Sequence, residues 1–550
     1  MRKLTGRVYL LFFFLALALF TLLWRLIELN LIDRQFLLQQ GDARVLRTVK
    51  MAAHRGMMTD CLGTVLALSS PVYSVWINPR EFHPDIAALQ SLASALQLPS
   101  SWIAARNEKS ATKSFVYLNR QNPPEVIQKI KALNIPGVHF EKQYQRFYPD
   151  SEVTAHVLGI TNVDDNGQEG LELAYNSWLQ GTLGKKQVLK DRLGRTIADV
   201  ALIKKPQQGK DLQLSIDHRI QYLAYRALKT QVQKLHAASG SIVVLNVKTG
   251  EIVAMVNQPS YNPNNRIMEK DGDFRNRAVT DSFEPGSTMK PFTIALALQS
   301  GKYTSNTMVN TSPGRMRIGG YEIRDDGLNY GIIDVKTILQ KSSNIGAAKI
   351  LLSLSPEKFW NLLRQLGFGE RSHSGFPGES AGNLVSHQVW YPSDIATFAY
   401  GYGIAVTALQ LAHAYAILAD GGIRYPLTFL KLTTPPIGKQ VMQKSVAHEV
   451  VDMLEAVVKT GGTGTRAAVA GYRVAGKTGT AYIAGPNGYD KQKYLASFVG
   501  FAPVSDPQLV VAVIIRDPQL QHFGGMVAAP VFSTVMAGAL RILNIAPDAL

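Results

Sequence analysis

An apolar run from Val8 to Trp24, free of charge, stands apart from everything that follows it. At 1.5 Å per residue it spans about 26 Å, and Leu26 and Ile27 beyond Arg25 can lengthen it to a full bilayer crossing. This predicts one transmembrane helix. Arg2, Lys3 and Arg7 precede it with no acid among them, so the N-terminus is expected to stay in the cytoplasm and the chain after about residue 30 to lie outside. The alternative is a cleaved signal peptide. The run is long and the first small-residue site, Gly41 to Ala43, lies far beyond it, so an uncleaved anchor is the expectation.

Downstream the pattern shortens. From about Gln35 to Ala238 short strand and helix patterns alternate with polar loops such as Asp164-Asp165-Asn166-Gly167. Asp217 to Leu235 predicts a helix, and the apolar runs Ile242 to Leu245 and Ile252 to Val256, separated by Lys248-Thr249-Gly250, predict a hairpin over Ser241 to Val256. Helical periodicity then dominates from Ser287 to about Ala419, including a stretch from Pro392 to Leu418. Strand patterns return between Tyr472 and Ile515, with a closing helix near Pro530 to Leu543. Strands at both ends with helices between them imply one sheet completed by distant segments and covered by helices, an α+β multidomain protein.

Composition adds exclusions. A chain of 550 residues exceeds one domain, and 46% hydrophobic residues is ordinary for a folded protein. The single cysteine, Cys61, allows no internal disulfide and no cysteine-based metal site, and the eleven histidines show no H-E-x-x-H spacing. No cofactor or metal is expected. The net charge of +17 could point to nucleic acid, but the basic residues are spread along the chain and the topology is exported. Anionic lipid headgroups or cell-wall carboxylates are the better partners.

Three short polar motifs carry the chemistry: Ser287-Thr288-Met289-Lys290, Ser342-Ser343-Asn344 and Lys477-Thr478-Gly479-Thr480. In that order they describe a serine enzyme that acylates itself on a peptide or a β-lactam. Each also has decoys. Ser355-Pro356-Glu357 reads as a capped helix start with Trp360, Leu363 and Leu366 on one face. Lys459-Thr460-Gly461 closes the helical stretch Glu449 to Val458, and Lys248-Thr249-Gly250 is a turn. Ser110 to Lys113 has no apolar helix behind it, and Ser260 to Asn262 precedes the serine motif.

Ser287 has the right context. Glu284-Pro285-Gly286 is a turn, and Thr288 to Ser300 is a helix pattern, so Ser287 is expected at a helix N-terminus, where free N–H groups face an oxyanion. Lys290 lies one helical turn on, on the same face, and serves as base only if burial lowers its proton affinity to roughly 7 to 8. Ser342 and Asn344 should project from a helix start or the loop before it. A hydroxyl there relays a proton to a leaving amine, and a carboxamide holds a substrate amide. Tyr472 to Ala475 and Thr480 to Ile483 flank Lys477-Thr478-Gly479 as a strand. Gly485-Pro486-Asn487-Gly488 turns it toward a second strand from Ser497 to Val504. Lys477, Thr478 and Thr480 suit a substrate carboxylate, Gly479 permits close approach, and the N–H groups of Ser287 and Thr480 could form an oxyanion hole.

On these motifs the chain resembles the class B penicillin-binding proteins, most of all the penicillin-binding protein 3 group, the division-specific peptidoglycan D,D-transpeptidases of Gram-negative bacteria. The resemblance covers nearly the full length. It extends to Arg55-Gly56 with Asp60 and Gly63, Arg146-Phe147-Tyr148-Pro149, Gly170-Leu171-Glu172, Tyr400-Gly401-Tyr402-Gly403 and Asn544 to Leu550. Cys61 departs from it, because arginine is usual there, and this puts an ion pair of the non-catalytic domain in question.

The resemblance implies a cytoplasmic tail and anchor over 1–30, a non-catalytic pedestal of the dimerisation type over 31–238, and a transpeptidase domain with a five-stranded antiparallel sheet over 239–550. It further implies D-Ala-D-Ala stem peptides as substrate, β-lactams as covalent inhibitors, and a place in the inner membrane at the division septum. There the expected partners are a lipid-II-polymerising glycosyltransferase and other septal proteins. Two other readings remain: a β-lactam hydrolase, whose water-positioning E-x-x-L-N setting is approached only at Glu357 to Asn361, and a non-catalytic division scaffold.

Overall fold

Strands Ser239–Asn246 and Ile252–Gln258 form the expected hairpin, and it is completed by segments more than two hundred residues away. Ala475–Gly485, Gly488–Ala502 and Leu509–Arg516 add to it. The five strands run in the order Ile252, Ser239, Leu509, Gly488, Ala475, all antiparallel. The computed structural model describes residues 2–51, 53–191, 196–265, 274–326, 329–485 and 488–549. The expected turn at Gly485-Pro486-Asn487-Gly488 therefore lies partly outside the described residues, although Gly485 pairs with Gly488 across it.

The strands Ser239–Asn246, Ile252–Gln258 and Leu509–Arg516 are apolar almost throughout because both their faces are buried. Ile242 and Val244 join one core with Val511, Val513 and Ile515, under the helices His218–Lys234 and Ala529–Ile542. Their neighbours Val243 and Leu245 join the other with Val510 and Ala512, against the helices Ala408–Ala419, Lys444–Val458 and Lys290–Gln299. The helix from His218 is started by Asp217, whose carboxylate accepts the Arg219 N–H.

The chain forms two compact units. One comprises Met1–Arg55, Ser70–Gln145 and Gln180–Gly209; the other comprises Gly56–Ser69, Arg146–Leu179 and Lys210–Leu550 and contains the sheet above. In the first unit an exposed helix, Arg2–Ile27, continues through one π turn, Glu28–Ile32. Residues Gly6–Ile32 are long and apolar enough to cross a membrane. The same unit holds a three-stranded antiparallel sheet of Leu46–Met51, Gly184–Lys190 and Thr196–Lys204. It also has a small core of Val75, Ile77, Leu92, Leu96, Ile127 and Ile130.

Several expectations need correction. The stretch Pro392 to Leu418 is two helices, Pro392–Phe398 and Ala408–Ala419. Helical periodicity runs through the break, but Gly401 and Gly403 take φ of 85° and 79°, which a helix cannot accommodate. Short strands, Met308–Asn310, Arg315–Ile318, Tyr321–Arg324 and Ile332–Asp334, interrupt the helical region after the serine helix. The helix Pro356–Gln365 is capped by Ser355 as expected, yet it buries Phe359 and Leu362 beside Leu363, while Trp360 is only half-buried. The second strand of the hairpin that carries Lys477 starts at Gly488, well before Ser497, and Tyr472 to Val474 precede the first.

At Cys61 burial, followed by the fields of Asp217 and Asp60, pushes the thiol up to about 11. Asp217 pairs instead with Arg219, at 2.7 Å.

Candidate active site

Ser287 lies in a 3-10 turn, Gly286–Met289, that runs directly into the helix Lys290–Gln299. Two bonds from distant elements and one within the turn region hold it. Gly286 N–H donates to Gly401 O at 3.1 Å, the Tyr415 hydroxyl donates to Thr288 O at 2.8 Å, and Thr288 Oγ1 donates to Pro285 O at 2.7 Å. The Gly401 contact is as close as backbone permits: a Cβ added there would sit 2.1 Å from Gly286 O. Tyr400 to Gly403 is thus the buttress of the serine turn, which explains both the broken helix and the glycines.

Lys290 is wholly buried and its Nζ is surrounded by four oxygens: Ser287 Oγ at 2.9 Å, Ser342 O at 2.5 Å, Ser342 Oγ at 3.0 Å and Asn344 Oδ1 at 2.8 Å. Burial pulls its ammonium down to about 7, against the upward pull of Asp325 and Asp326. Two of the four oxygens, Ser342 O and Asn344 Oδ1, can only accept. A neutral amine has two N–H bonds and one lone pair, so once both carbonyls are served the lone pair is left for a serine hydroxyl. An amine so placed can take the proton of Ser287.

Ser342 and Asn344 come from the junction between two helices, Val335–Lys341 and Asn344–Leu352. Ser342 closes the first with φ 63°, a left-handed conformation that turns its carbonyl toward Lys290. Ser343 caps the second, accepting the Gly346 N–H at 3.0 Å and donating to Asp325 Oδ2 at 2.6 Å. Asn344 is engaged at both ends of its carboxamide, since Nδ2 donates to Arg324 O at 2.9 Å.

Lys477, Thr478, Gly479 and Thr480 lie on Ala475–Gly485, the edge strand of the sheet. Lys477 is buried, which excludes a solvated gatekeeper lysine, and burial followed by the field of Lys290 holds its ammonium well below the ordinary lysine range. Its Nζ lies 3.3 Å from Thr478 O. Gly479 faces Ser497 and the serine turn: a Cβ there would lie 2.3 Å from Ser497 Oγ and 3.0 Å from Pro285 O. Thr478 Oγ1 and Thr463 Oγ1 are 2.8 Å apart, and Thr480 Oγ1 accepts the Gly524 N–H at 3.1 Å.

The pairing register shows where the strand's free N–H groups point. Tyr494 stands opposite Tyr482, and Tyr494 O accepts from Asp517 N on the far side, so this pair does not bond to itself. The Tyr482 N–H accordingly faces the open edge, where Tyr402 Oη accepts it at 3.1 Å. With a period of two, the Thr480 N–H faces the same edge. Gly286 stands there, and a Cβ added to it would lie 3.3 Å from Thr480 O. The three motifs therefore converge: the first two touch through Lys290, and the third borders the serine turn.

The decoys fall elsewhere. Lys459 ends the helix Lys444–Val458, Lys248 lies in the hairpin turn, Ser260 Oγ donates to Glu152 O, and Ser110 and Lys113 belong to the other unit. Glu357 is exposed on its helix. Residues that sequence reading missed are Asp325, Tyr402, Tyr415 and Glu284, which accepts from Gly403 N at 2.7 Å and the Tyr489 hydroxyl at 2.9 Å. Tyr402 had drawn notice only within the Tyr-Gly-Tyr-Gly stretch and Glu284 only within the turn before Ser287, neither with a role. Among the described residues no group of three His, Cys, Asp or Glu side chains could hold a metal ion.

Comparison with known proteins agrees with this geometry. Residues 240–537 match the penicillin binding protein transpeptidase domain, and residues 50–214 the penicillin-binding protein dimerisation domain. The chain is 43% identical to a probable peptidoglycan D,D-transpeptidase, PbpC, of Pseudomonas aeruginosa, over 96% of this chain and 93% of the relative. It is 42% identical to the peptidoglycan D,D-transpeptidase FtsI of Escherichia coli K12, over 98% and 92%. Among solved structures, the apo transpeptidase domain of Burkholderia pseudomallei penicillin-binding protein 3 superposes with a TM-score of 0.57 at 45% identity, covering 61% of this chain and 98% of that one. A lysine-paired serine at a buttressed turn, a sheet edge carrying K-T-G and these likenesses lead to one conclusion: the chain belongs to the penicillin-binding protein transpeptidase family.

Proposed function

We propose that this chain cross-links peptidoglycan by D,D-transpeptidation through an acyl-enzyme on Ser287. The observation that carries the reading is the 2.9 Å contact between Ser287 Oγ and the buried amine of Lys290, whose remaining neighbours are Ser342 and Asn344. Lys290 takes the Ser287 proton as Oγ attacks the carbonyl between the two terminal D-alanines of a stem peptide. The developing oxyanion is received by the N–H groups of Ser287 and Thr480. A donor of this kind is worth about 10²- to 10³-fold in rate. Lys477, Thr478 and Thr480 hold the terminal carboxylate, and Gly479 lets the ligand lie close to the strand. Ser342 passes a proton to the departing D-alanine, and Asn344 orients the donor. An amine of a neighbouring stem peptide then attacks the ester and takes the acyl group, freeing Ser287. A β-lactam imitates the donor and leaves an ester that hydrolyses slowly.

In the same reading residues 1–30 are tail and anchor, 31–238 a pedestal and 239–550 the transpeptidase domain. The apolar helix and the basic residues before it support a single-pass inner-membrane protein with a cytoplasmic N-terminus and a periplasmic catalytic domain. The likeness to the penicillin-binding protein 3 group supports work at the division septum beside a lipid-II-polymerising glycosyltransferase and other septal proteins.

Labelling the full-length protein with a fluorescent penicillin, followed by peptide mapping, tests the chemistry. A stable label on the peptide containing Ser287, absent in Ser287→Ala, is expected. A label on another residue, or rapid turnover of the penicillin, would overturn it, the latter in favour of a hydrolase.

A further inference from the structure

Both carbonyls that occupy the N–H bonds of Lys290 come from one short loop, Ser342 to Asn344, and something must hold that loop still. Its backbone is not at rest by itself, since Ser342 is a non-glycine residue at φ 63°. The restraint comes from outside the motif. Asp325 follows the strand Tyr321–Arg324, is buried, and accepts three bonds from the loop and the helix behind it: Ser343 Oγ at 2.6 Å on Oδ2, and Asn344 N at 2.5 Å and Ile345 N at 3.0 Å on Oδ1; Ser343 Oγ itself receives the Gly346 N–H at 3.0 Å. The neighbouring Arg324 O takes Asn344 Nδ2 at 2.9 Å. One hairpin end therefore clamps both the backbone and the side chain of Asn344.

We propose that Asp325 is a positioning residue of the acyl-transfer site: by clamping Ser343, Asn344 and Ile345 it holds Ser342 O and Asn344 Oδ1 on the two N–H bonds of Lys290, which leaves the amine lone pair directed at Ser287. Asp325 does not touch the serine and acts only through the loop and its field. The charged groups that face Lys290 are Asp325 and Asp326 from this hairpin end and Lys477 from the edge strand. The two aspartates raise the proton affinity of Lys290 against burial, so neutralising Asp325 lowers it further. Lys290 must be unprotonated to act, and the acid limb of the acylation profile then moves to lower pH.

This inference rests on the function proposed above, and the experiment separates the two. Full-length wild type, Asp325→Asn and Ser343→Ala are acylated with a fluorescent penicillin over a range of concentrations from about pH 5 to about pH 9, spanning the working range of a tuned lysine. Failure of the wild type to label at Ser287 would defeat the functional reading itself. With that label in place, Asp325→Asn is expected to lose roughly ten- to a hundred-fold in the saturating acylation rate, with little change in penicillin affinity, and to shift its acid limb downward. Ser343→Ala, which keeps the charge and loses the bond to Asp325 together with the cap on the Gly346 N–H, is expected to slow with its acid limb unmoved. A folded Asp325→Asn protein that acylates at the wild-type rate, or slows with an unmoved limb, overturns the proposal. Should Asp325→Asn fail to fold, Ser343→Ala decides: a wild-type rate overturns it, and a slowed rate with the limb in place supports it.

Discussion

Lys290 Nζ, wholly buried, stands 2.9 Å from Oγ of the half-buried Ser287, and its ammonium is pulled by burial to about 7. A base works only in its unprotonated form, so β-lactam acylation should rise as pH increases through about 7 and level off above it. Rates of penicillin labelling measured across pH check this. A profile flat between pH about 6 and about 8 would remove Lys290 as the base.

Gly401 is the tightest point of the buttress. At φ 85° and with Gly286 O 2.1 Å from the place a Cβ would occupy, Gly401→Ala must displace the serine turn or the loop. A loss of about 1–3 kcal/mol is expected from the backbone conformation alone. Because the displaced element carries Ser287, acylation should fall more than stability. Denaturant melts and labelling rates on the same samples separate the two.

Tyr402 Oη takes the Tyr482 N–H at the open edge of the K-T-G strand. Tyr402→Phe removes the acceptor and keeps the ring. Tyr482 is 39% exposed, so water replaces part of the bond and the stability loss should stay near or below about 1 kcal/mol. The edge is loosened two residues from Thr480, so affinity for a carboxylate-bearing β-lactam should weaken measurably. Unchanged affinity would confine Tyr402 to buttressing.

Arg146 and Glu172 form an ion pair with side chains 1% and 0% exposed, and Arg146 Nη1 also donates to Gly56 O at 2.7 Å. Arg146→Ala leaves the Glu172 carboxylate buried without this partner and should destabilise the protein by about 3–5 kcal/mol. The acylation rate per folded molecule should not change. Thermal melting and active-site titration provide the comparison.

Much of this was legible along the chain because it depends on local pattern. The anchor announces itself by length and apolarity, the hairpin by two apolar runs around Lys248-Thr249-Gly250, and the helix at Ser355 by its cap. The eight residues expected at the site, Ser287, Lys290, Ser342, Asn344, Lys477, Thr478, Gly479 and Thr480, lie on the three converging motifs. Periodicity failed at Tyr400 to Gly403, where apolar spacing continues through a turn that the glycines and the bond to Gly286 enforce. Asp325 was invisible for a related reason: an aspartate after a short strand looks like any solvated loop residue until the fold brings Ser343, eighteen residues on, against it.

The order and chemistry of the motifs, the anchor and the hairpin around Lys248-Thr249-Gly250 belong to the linear chain, since each follows from residues within a few positions of one another. The proton affinity of Lys290, the direction of the Thr480 N–H and the immobility of the Ser342 to Asn344 loop were decided by tertiary structure alone. Burial, strand register and charge act through space, between groups that lie from a few to nearly two hundred residues apart in sequence.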